Sequence, residues 1–510
     1  MTRAIVIGGG VAGLATAALL AADGLQVELH EARNELGGRA GTWEQDGFRF
    51  DTGPSWYLMP EVFEHYFRLL GTTAADELDL VRLNPAYRVF SEGHDPFDIV
   101  TDRAQTRSLF ESMEPGAGAQ LDAYLESADS AYRLALDHFL YDSFSTAAVL
   151  RHPKVLRNLP RLAPALLRTL AGHVEDRFHD PRLRQVLEYP AVFLGGSPFT
   201  VPALYQLMSH LDLDDGVLYP LGGMRTVVSA LERLATTRGV RIHRGSDVRH
   251  IAHRDGAVTG VDLADGAHHS AQIVVSATDL HHLEHDLLEG AADKPRRRDR
   301  APSSGALLLL LGVRGEIEQL AHHTLLFTGD WRANFEAITR SPGHLPDPAS
   351  LYVCAASHTD PGVAPPGHTN LFVLVPSPAD PLSGRGGIDG TGDARIERAA
   401  DRVIEQISQW CRIPDLAERI VVRRTIAPQD FATDLRTWRG NALGMAHTLR
   451  QSAMFRDRNT VRGVDGLYRV GADVAPGIGL PMCLISAEIV TKLIRGDRSP
   501  GRMPEMTATR

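Results

Sequence analysis

The sequence predicts an α/β protein in which a parallel nucleotide-binding sheet is interlaced with a second, α+β domain. Three observations predict it. An apolar strand at the N-terminus runs into a glycine-rich turn and an Ala/Leu-rich helix. A second strand, glycine turn and apolar helix stand near the C-terminus, and the segments between them follow a different pattern. At roughly 150 residues per domain, 510 residues leave room for two or three domains. Hydrophobic residues at 43% and charged residues at 23% are ordinary for a globular enzyme, and 47 Gly with 30 Pro exclude a collagen-like chain. A formal net charge of −10 argues against a protein that coats nucleic acid.

The N-terminal motif is the most specific. Arg3 to Ile7 reads as a strand, Gly8-Gly-Gly10-Val11-Ala12-Gly13 as a turn, Leu14 to Ala22 as a helix, and Leu25 to Leu29 as a second strand closed by Glu31. That order is the Rossmann-like dinucleotide fingerprint. Gly8 serves the tight turn, Gly10 the approach of a pyrophosphate, and Gly13 the packing of helix on strand. The helix N-terminus offers free N–H groups to phosphate, and Glu31 can accept ribose hydroxyls. Ala32, Arg33, Gly38 and Arg39 follow at once, and then Gly53, Pro54, Ser55 and Trp56. A glycine pair and an arginine so placed suit a longer ligand lying across the sheet edge.

Farther along, Arg225 to Thr236 reads as a helix, and 239–243, 247–251, 257–262 and 273–277 as short strands. Residues 111–214 read as mostly helical. Residues 301–439 mix strands with a Pro/Gly-rich loop at 361–393, long enough to be mobile or functional, and a helix from Ala394 to Trp410. Gly305 to Val313 is the longest uncharged apolar run, half a membrane span, and reads as a buried strand. Residues 291–304, including the basic run Lys294 to Arg300, read as a solvated linker. At the C-terminus, Gly466 to Val470 forms a strand, Gly471-Ala-Asp473 a turn, and Pro481 and Met482 open a helix reaching Ile494. Pro481 fits a first helical turn.

These motifs, together with Phe193 to Phe199, resemble the bacterial-type phytoene desaturases, carotenoid desaturases of the flavin amine oxidase superfamily. The resemblance implies FAD. It places Gly38 and Arg39 near the pyrophosphate, Gly53 to Trp56 near the isoalloxazine and the backbone of Val248 at the adenine; Asp473, in the turn before the last helix, can hydrogen-bond ribityl hydroxyls. The C-terminal helix, aimed N-terminus first at the flavin, favours negative charge there. Asp473, Ala475 and Met482 depart from the usual pattern of that family. The domains expected are a discontinuous FAD-binding domain of 1–110, 215–300 and 440–496, a substrate and membrane-associating domain of 111–214 and 301–439, and a disordered tail of 497–510.

The activity implied is hydride transfer to flavin from a phytoene-like, lipophilic polyene, toward lycopene, with oxygen or a quinone as electron acceptor. Rivals are a flavin-dependent cis/trans isomerase and a non-catalytic isoprenoid-binding protein. No catalytic acid or base is assigned; His65 and His210 are the histidines considered. Between Asp142 and Glu175 the chain is basic and leucine-rich without an acidic residue, which suits docking on a membrane surface or a surface helix packed on its own core. The expected location is the cytoplasm, at the inner face of the membrane. Cys354, Cys411 and Cys483 are scattered and form no metal motif, so no metal is expected.

Overall fold

The computed structural model describes residues 2–144, 153, 157, 165–288, 300–340 and 343–506. The first strand, Arg3–Ile7, lies parallel to Gln26–Glu31, with the helix Val11–Ala22 crossing between them. Every residue of that helix from Val11 to Leu20 is buried, so it is an interior helix rather than an amphipathic one. It shares a core with the C-terminal helix Leu480–Ile494, through Leu14, Ala17 and Ala18 against Leu484, Ala487 and Val490. The sheet is fully parallel and runs Leu467–Arg469, Ile273–Ser276, Arg3–Ile7, Gln26–Glu31, Arg241–Arg244. Strands from three distant parts of the chain thus close one nucleotide-binding layer, and a three-stranded antiparallel meander of residues 248–270 packs beside it.

The second sheet is mixed and seven-stranded, in the order Ile420–Ile426, Gly305–Arg314, His368–Ser377, Leu351–Cys354, His323–Phe327, Tyr87–Ser91, Phe97–Ile99. Gly305–Arg314 is buried at every position but the last, which is why it reads as an unbroken apolar run. Leu307, Leu309 and Leu311 face the helix Ala394–Trp410, while Ala306, Leu308 and Leu310 face Phe48 and Phe372.

Four expectations are corrected. The 361–393 segment is no open loop: His368–Ser377 is an inner strand of the second sheet, and its apolar run Leu371 to Val375 is hidden in sequence by the prolines on either side. The division at residue 110 also shifts, because Tyr87–Ser91 and Phe97–Ile99 pair into the second sheet. The tail is anchored at Met503, which is buried, and at Glu505, which pairs with His65, while most of its other residues to 506 are exposed. Glu488 and Lys492 are buried charges of the last helix, and the tail supplies one partner to each: Met503 N–H donates to Glu488, and Lys492 Nζ donates to Gly501 O at 2.7 Å. Arg300 is not a solvated side chain; it pairs with Glu284 and, at 3.1 Å, with Asp457, with 13% of its side chain exposed. The rest of that arginine run, and most of the basic leucine-rich window at 142–175, lie outside the described residues.

Candidate functional site

One cavity of about 610 Å³ runs from the N-terminal glycine turn to the space between the second sheet and the helices facing it. Every residue expected at the dinucleotide site lines it: Gly8, Gly10 to Gly13, Glu31 to Arg33, Gly38, Arg39, Gly53 to Trp56, Val248, Gly471, Asp473, Pro481 and Met482. His65 and His210 do not. His65 is buried between Glu488 at 3.0 Å and Glu505 at 2.9 Å, and His210 is ringed by Asp214, Asp129 and Asp215.

The turn glycines divide their tasks in space. Gly8 has φ +100°, which L side chains rarely adopt. A Cβ on Gly13 would stand 1.9 Å from the Gly8 carbonyl oxygen, so close packing of helix on turn demands its absence. A Cβ on Gly10 would meet no protein atom nearer than Gly37 O at 3.8 Å. The space above Gly10 is therefore free of protein and sits at the N-terminus of the Val11–Ala22 helix, where unpaired N–H groups attract phosphate. Glu31 closes the strand end: Gly9 N–H donates to Oε2 at 2.7 Å and Arg33 N–H to Oε1 at 2.9 Å.

At the C-terminal side, both oxygens of Asp473 already accept backbone N–H groups, from Met445 at 3.0 Å and Leu280 at 3.1 Å. The residue thereby ties two loops together under the cavity, a task beyond the one expected of it. Burial first, and the adjacent Asp279 second, push its carboxyl above the usual range, with Arg39 opposing. Arg39 donates through Nη2 to Asn441 Oδ1 at 3.2 Å and lies 3.8 Å from Asp279, while its buried Nε has no partner. His447, also lining the cavity, is stacked on Tyr205 at 5.5 Å and has no partner on either ring nitrogen. The free space above Gly10 and these unsatisfied polar nitrogens fit a large polar ligand such as a dinucleotide.

Toward the second sheet the lining turns apolar. Leu308, Leu325 and Phe327 face Leu134, Leu207 and Leu211 of the helices Ala117–His138 and Leu207–Leu213. Where the two halves meet, Trp56 stacks on His323 at 4.4 Å with an interplanar angle of 8°. His323 Nδ1 is 2.7 Å from Tyr352 Oη, which is 2.7 Å from Ser55 Oγ. Burial drives His323 well below its ordinary pKa and Tyr352 well above, so both are neutral at pH 7. The sequence singled out Ser55 and Trp56 but missed His323, Tyr352 and His447. Those three come from distant, motif-free parts of the chain, and only the second sheet brings the first two beneath Trp56.

A parallel dinucleotide sheet, a glycine turn with open space above it and an attached apolar chamber define a flavoprotein oxidoreductase. The chain belongs to the family of flavin containing amine oxidoreductases, whose pattern matches residues 11–494, and its cofactor is FAD. It is 41% identical over 486 residues to a carotenoid 3,4-desaturase of Haloarcula japonica, covering 95% of this chain and 96% of that one. A zeta-carotene-forming phytoene desaturase of Myxococcus xanthus is 34% identical over 492 residues, covering 96% and 93%. Among solved structures, an oxidoreductase from Methanosarcina mazei shares the fold, with a TM-score of 0.61, 18% identity, and 96% and 100% of the two chains covered.

Proposed function

We propose that this protein is an FAD-dependent carotenoid desaturase that takes phytoene toward lycopene. The observation that carries the reading is the single cavity, polar at the dinucleotide end and apolar beyond Trp56. When bound, FAD supplies the two-electron redox chemistry, accepting hydride from an allylic carbon. The residues of the chain bind, orient and exclude water. The turn from Gly8 to Gly13, with Gly38 and Arg39, holds the pyrophosphate, Glu31 the ribose and Val248 the adenine. Gly53 to Trp56, with Pro481 and Met482, borders the isoalloxazine. The Ser55–Tyr352–His323 chain of hydrogen bonds fixes Trp56 as a neutral wall, so that no fixed charge there competes with charge developing along the polyene.

Such a substrate resides in lipid. Among the described residues no helix is long and apolar enough to cross a membrane, and the reading therefore places the protein peripherally on a membrane surface, with oxygen or a quinone reoxidising the flavin. A second reading is 3,4-desaturation of a chain that already carries conjugated double bonds; the 41% identical relative favours it. Expression in bacteria that accumulate phytoene, and separately in bacteria that accumulate lycopene, tests both through spectra of the lipid extracts. New long-wavelength bands in the phytoene strain support the first reading, and bands in the lycopene strain alone support the second. Unchanged polyenes in both, with yellow FAD-loaded protein present, would overturn the proposal.

A further inference from the structure

The outer end of the dinucleotide sheet carries a cluster that the flavin chemistry does not use. Gln26–Glu31 and Arg241–Arg244 pair in parallel, with His30 opposite His243 and Glu28 opposite Arg241. Glu28 and His30 stand two residues apart on one strand and so share a face. His269, from the strand His268–Ser270, closes the third side.

The donor atoms converge. His30 Nε2 lies 3.7 Å and His243 Nε2 3.9 Å from Glu28 Oε2, and the three ligand atoms all lie within 4.8 Å of one another. Zinc bonded at about 2.0–2.1 Å to nitrogen and oxygen in a tetrahedron sets its ligand atoms roughly 3.3 Å apart, so both imidazole nitrogens must draw closer to the carboxylate, and the two rings, stacked at 4.7 Å with an interplanar angle of 13°, must tilt toward the ion.

The surroundings are those of ligands. His30 is 1% exposed, and its Nε2, like that of His243, has no hydrogen-bond partner. Its Nδ1 is held 2.8 Å from Ser246 Oγ, which fixes the ring and leaves Nε2 to carry the lone pair when Nδ1 holds the proton. His269 Nδ1 is 2.9 Å from Glu28 Oε2 and orients the carboxylate. The side chains of His243 and Glu28 are 39% and 19% exposed, so the cluster lies at the solvent edge of the sheet while both Nε2 atoms are buried.

We infer that Glu28, His30 and His243 bind a divalent transition-metal cation of the zinc type, with His269 supporting Glu28. His30 immediately precedes Glu31, and both line the cavity, so the ion would clamp the ribose-binding strand to the edge strand and to the meander. No sequence motif announces the site, because His243 joins Glu28 and His30 from a strand some two hundred residues away.

The test uses the FAD-loaded protein, stripped with chelator, incubated with zinc chloride and desalted. Wild type is expected to retain about one zinc per chain and to unfold at higher temperature with zinc than without. His243→Ala and, separately, Glu28→Gln remove partly exposed ligands, and each is expected to lose that zinc and that thermal shift while keeping the flavin spectrum. The neighbouring His250–Asp262–His268 group is another place where zinc could settle, so His250→Ala serves as control and is expected to behave as wild type. Cobalt in place of zinc is expected to give tetrahedral ligand-field bands in wild type and none in His243→Ala. Zinc retention and thermal shift that are equal in wild type, His243→Ala and Glu28→Gln would overturn the inference, as would wild type that retains no zinc.

Discussion

Replacing Gly10 and Gly13 by alanine separates the space reserved for the cofactor from the space required by the fold. Gly10 has φ −74° and ψ 177°, a conformation alanine adopts freely, and its new methyl would meet no protein atom nearer than 3.8 Å. Reduced freedom of the unfolded chain favours alanine by about 0.4–1 kcal/mol, and the loss of a good residue at the helix start opposes it by a similar amount. The apoprotein of Gly10→Ala is therefore expected to match wild type within about 1 kcal/mol. With FAD, the methyl stands where the phosphates approach and displaces one charge-assisted hydrogen bond, about 1.5–3 kcal/mol, or roughly ten- to hundredfold in Kd. Gly13→Ala behaves the other way. Its methyl would lie 1.9 Å from a backbone oxygen that cannot turn aside, which costs the apoprotein about 1–3 kcal/mol or more. Urea unfolding of the apoproteins and titration with FAD, followed by flavin fluorescence, read the two effects separately. Wild-type FAD affinity in Gly10→Ala, or apoprotein destabilisation equal to that of Gly13→Ala, would refute the reasoning.

Three further outcomes follow from buried groups. His65→Ala leaves Glu488, 2% exposed, without its imidazole partner, and is expected to destabilise the chain by about 3 kcal/mol in urea while the flavin spectrum stays unchanged. Asp212, between the hydroxyls of Tyr87 and Tyr189 at 3.0 and 2.6 Å, is pushed by burial from 3.8 to about 7. The folded chain thus holds a proton there that the unfolded chain has released, so this group's contribution to stability is highest near pH 4 and falls as pH rises through about 7. Asp212→Asn is expected to remove that part of the slope in unfolding free energy between about pH 4 and 7, and an unaltered slope would count against the assignment. Leu308→Trp fills the apolar chamber from the second sheet and is expected to lower polyene turnover at least tenfold without weakening FAD binding, read by product spectra and flavin titration.

What was legible in the sequence was local. The strand, turn and helix of residues 3–31 announce themselves because each step rests on a contiguous physical requirement, down to the missing Cβ of Gly13. The apolar run at 305–313 was legible for the same reason, being buried on both faces. The strand at 368–377 was not, since its flanking prolines outweigh a five-residue apolar run. Nor was the wall of the chamber: nothing near His323 or Tyr352 in the chain points to Trp56, and only strand pairing beneath the cavity sets them against it. The tail misled because its residues look solvated, whereas buried Glu488 and Lys492 need the backbone groups that the tail provides.

The most direct test of the account is the flavin spectrum under anaerobic conditions, recorded as phytoene in lipid vesicles is mixed with oxidised, FAD-loaded protein. Desaturation delivers two electrons to the flavin for each double bond formed, so the account predicts bleaching of the visible flavin band in step with about one new double bond per flavin. Lycopene in the vesicles is expected to give the same bleaching if 3,4-desaturation is the reaction. A flavin that remains oxidised while the polyenes are unchanged, or are only interconverted between cis and trans forms, would contradict it.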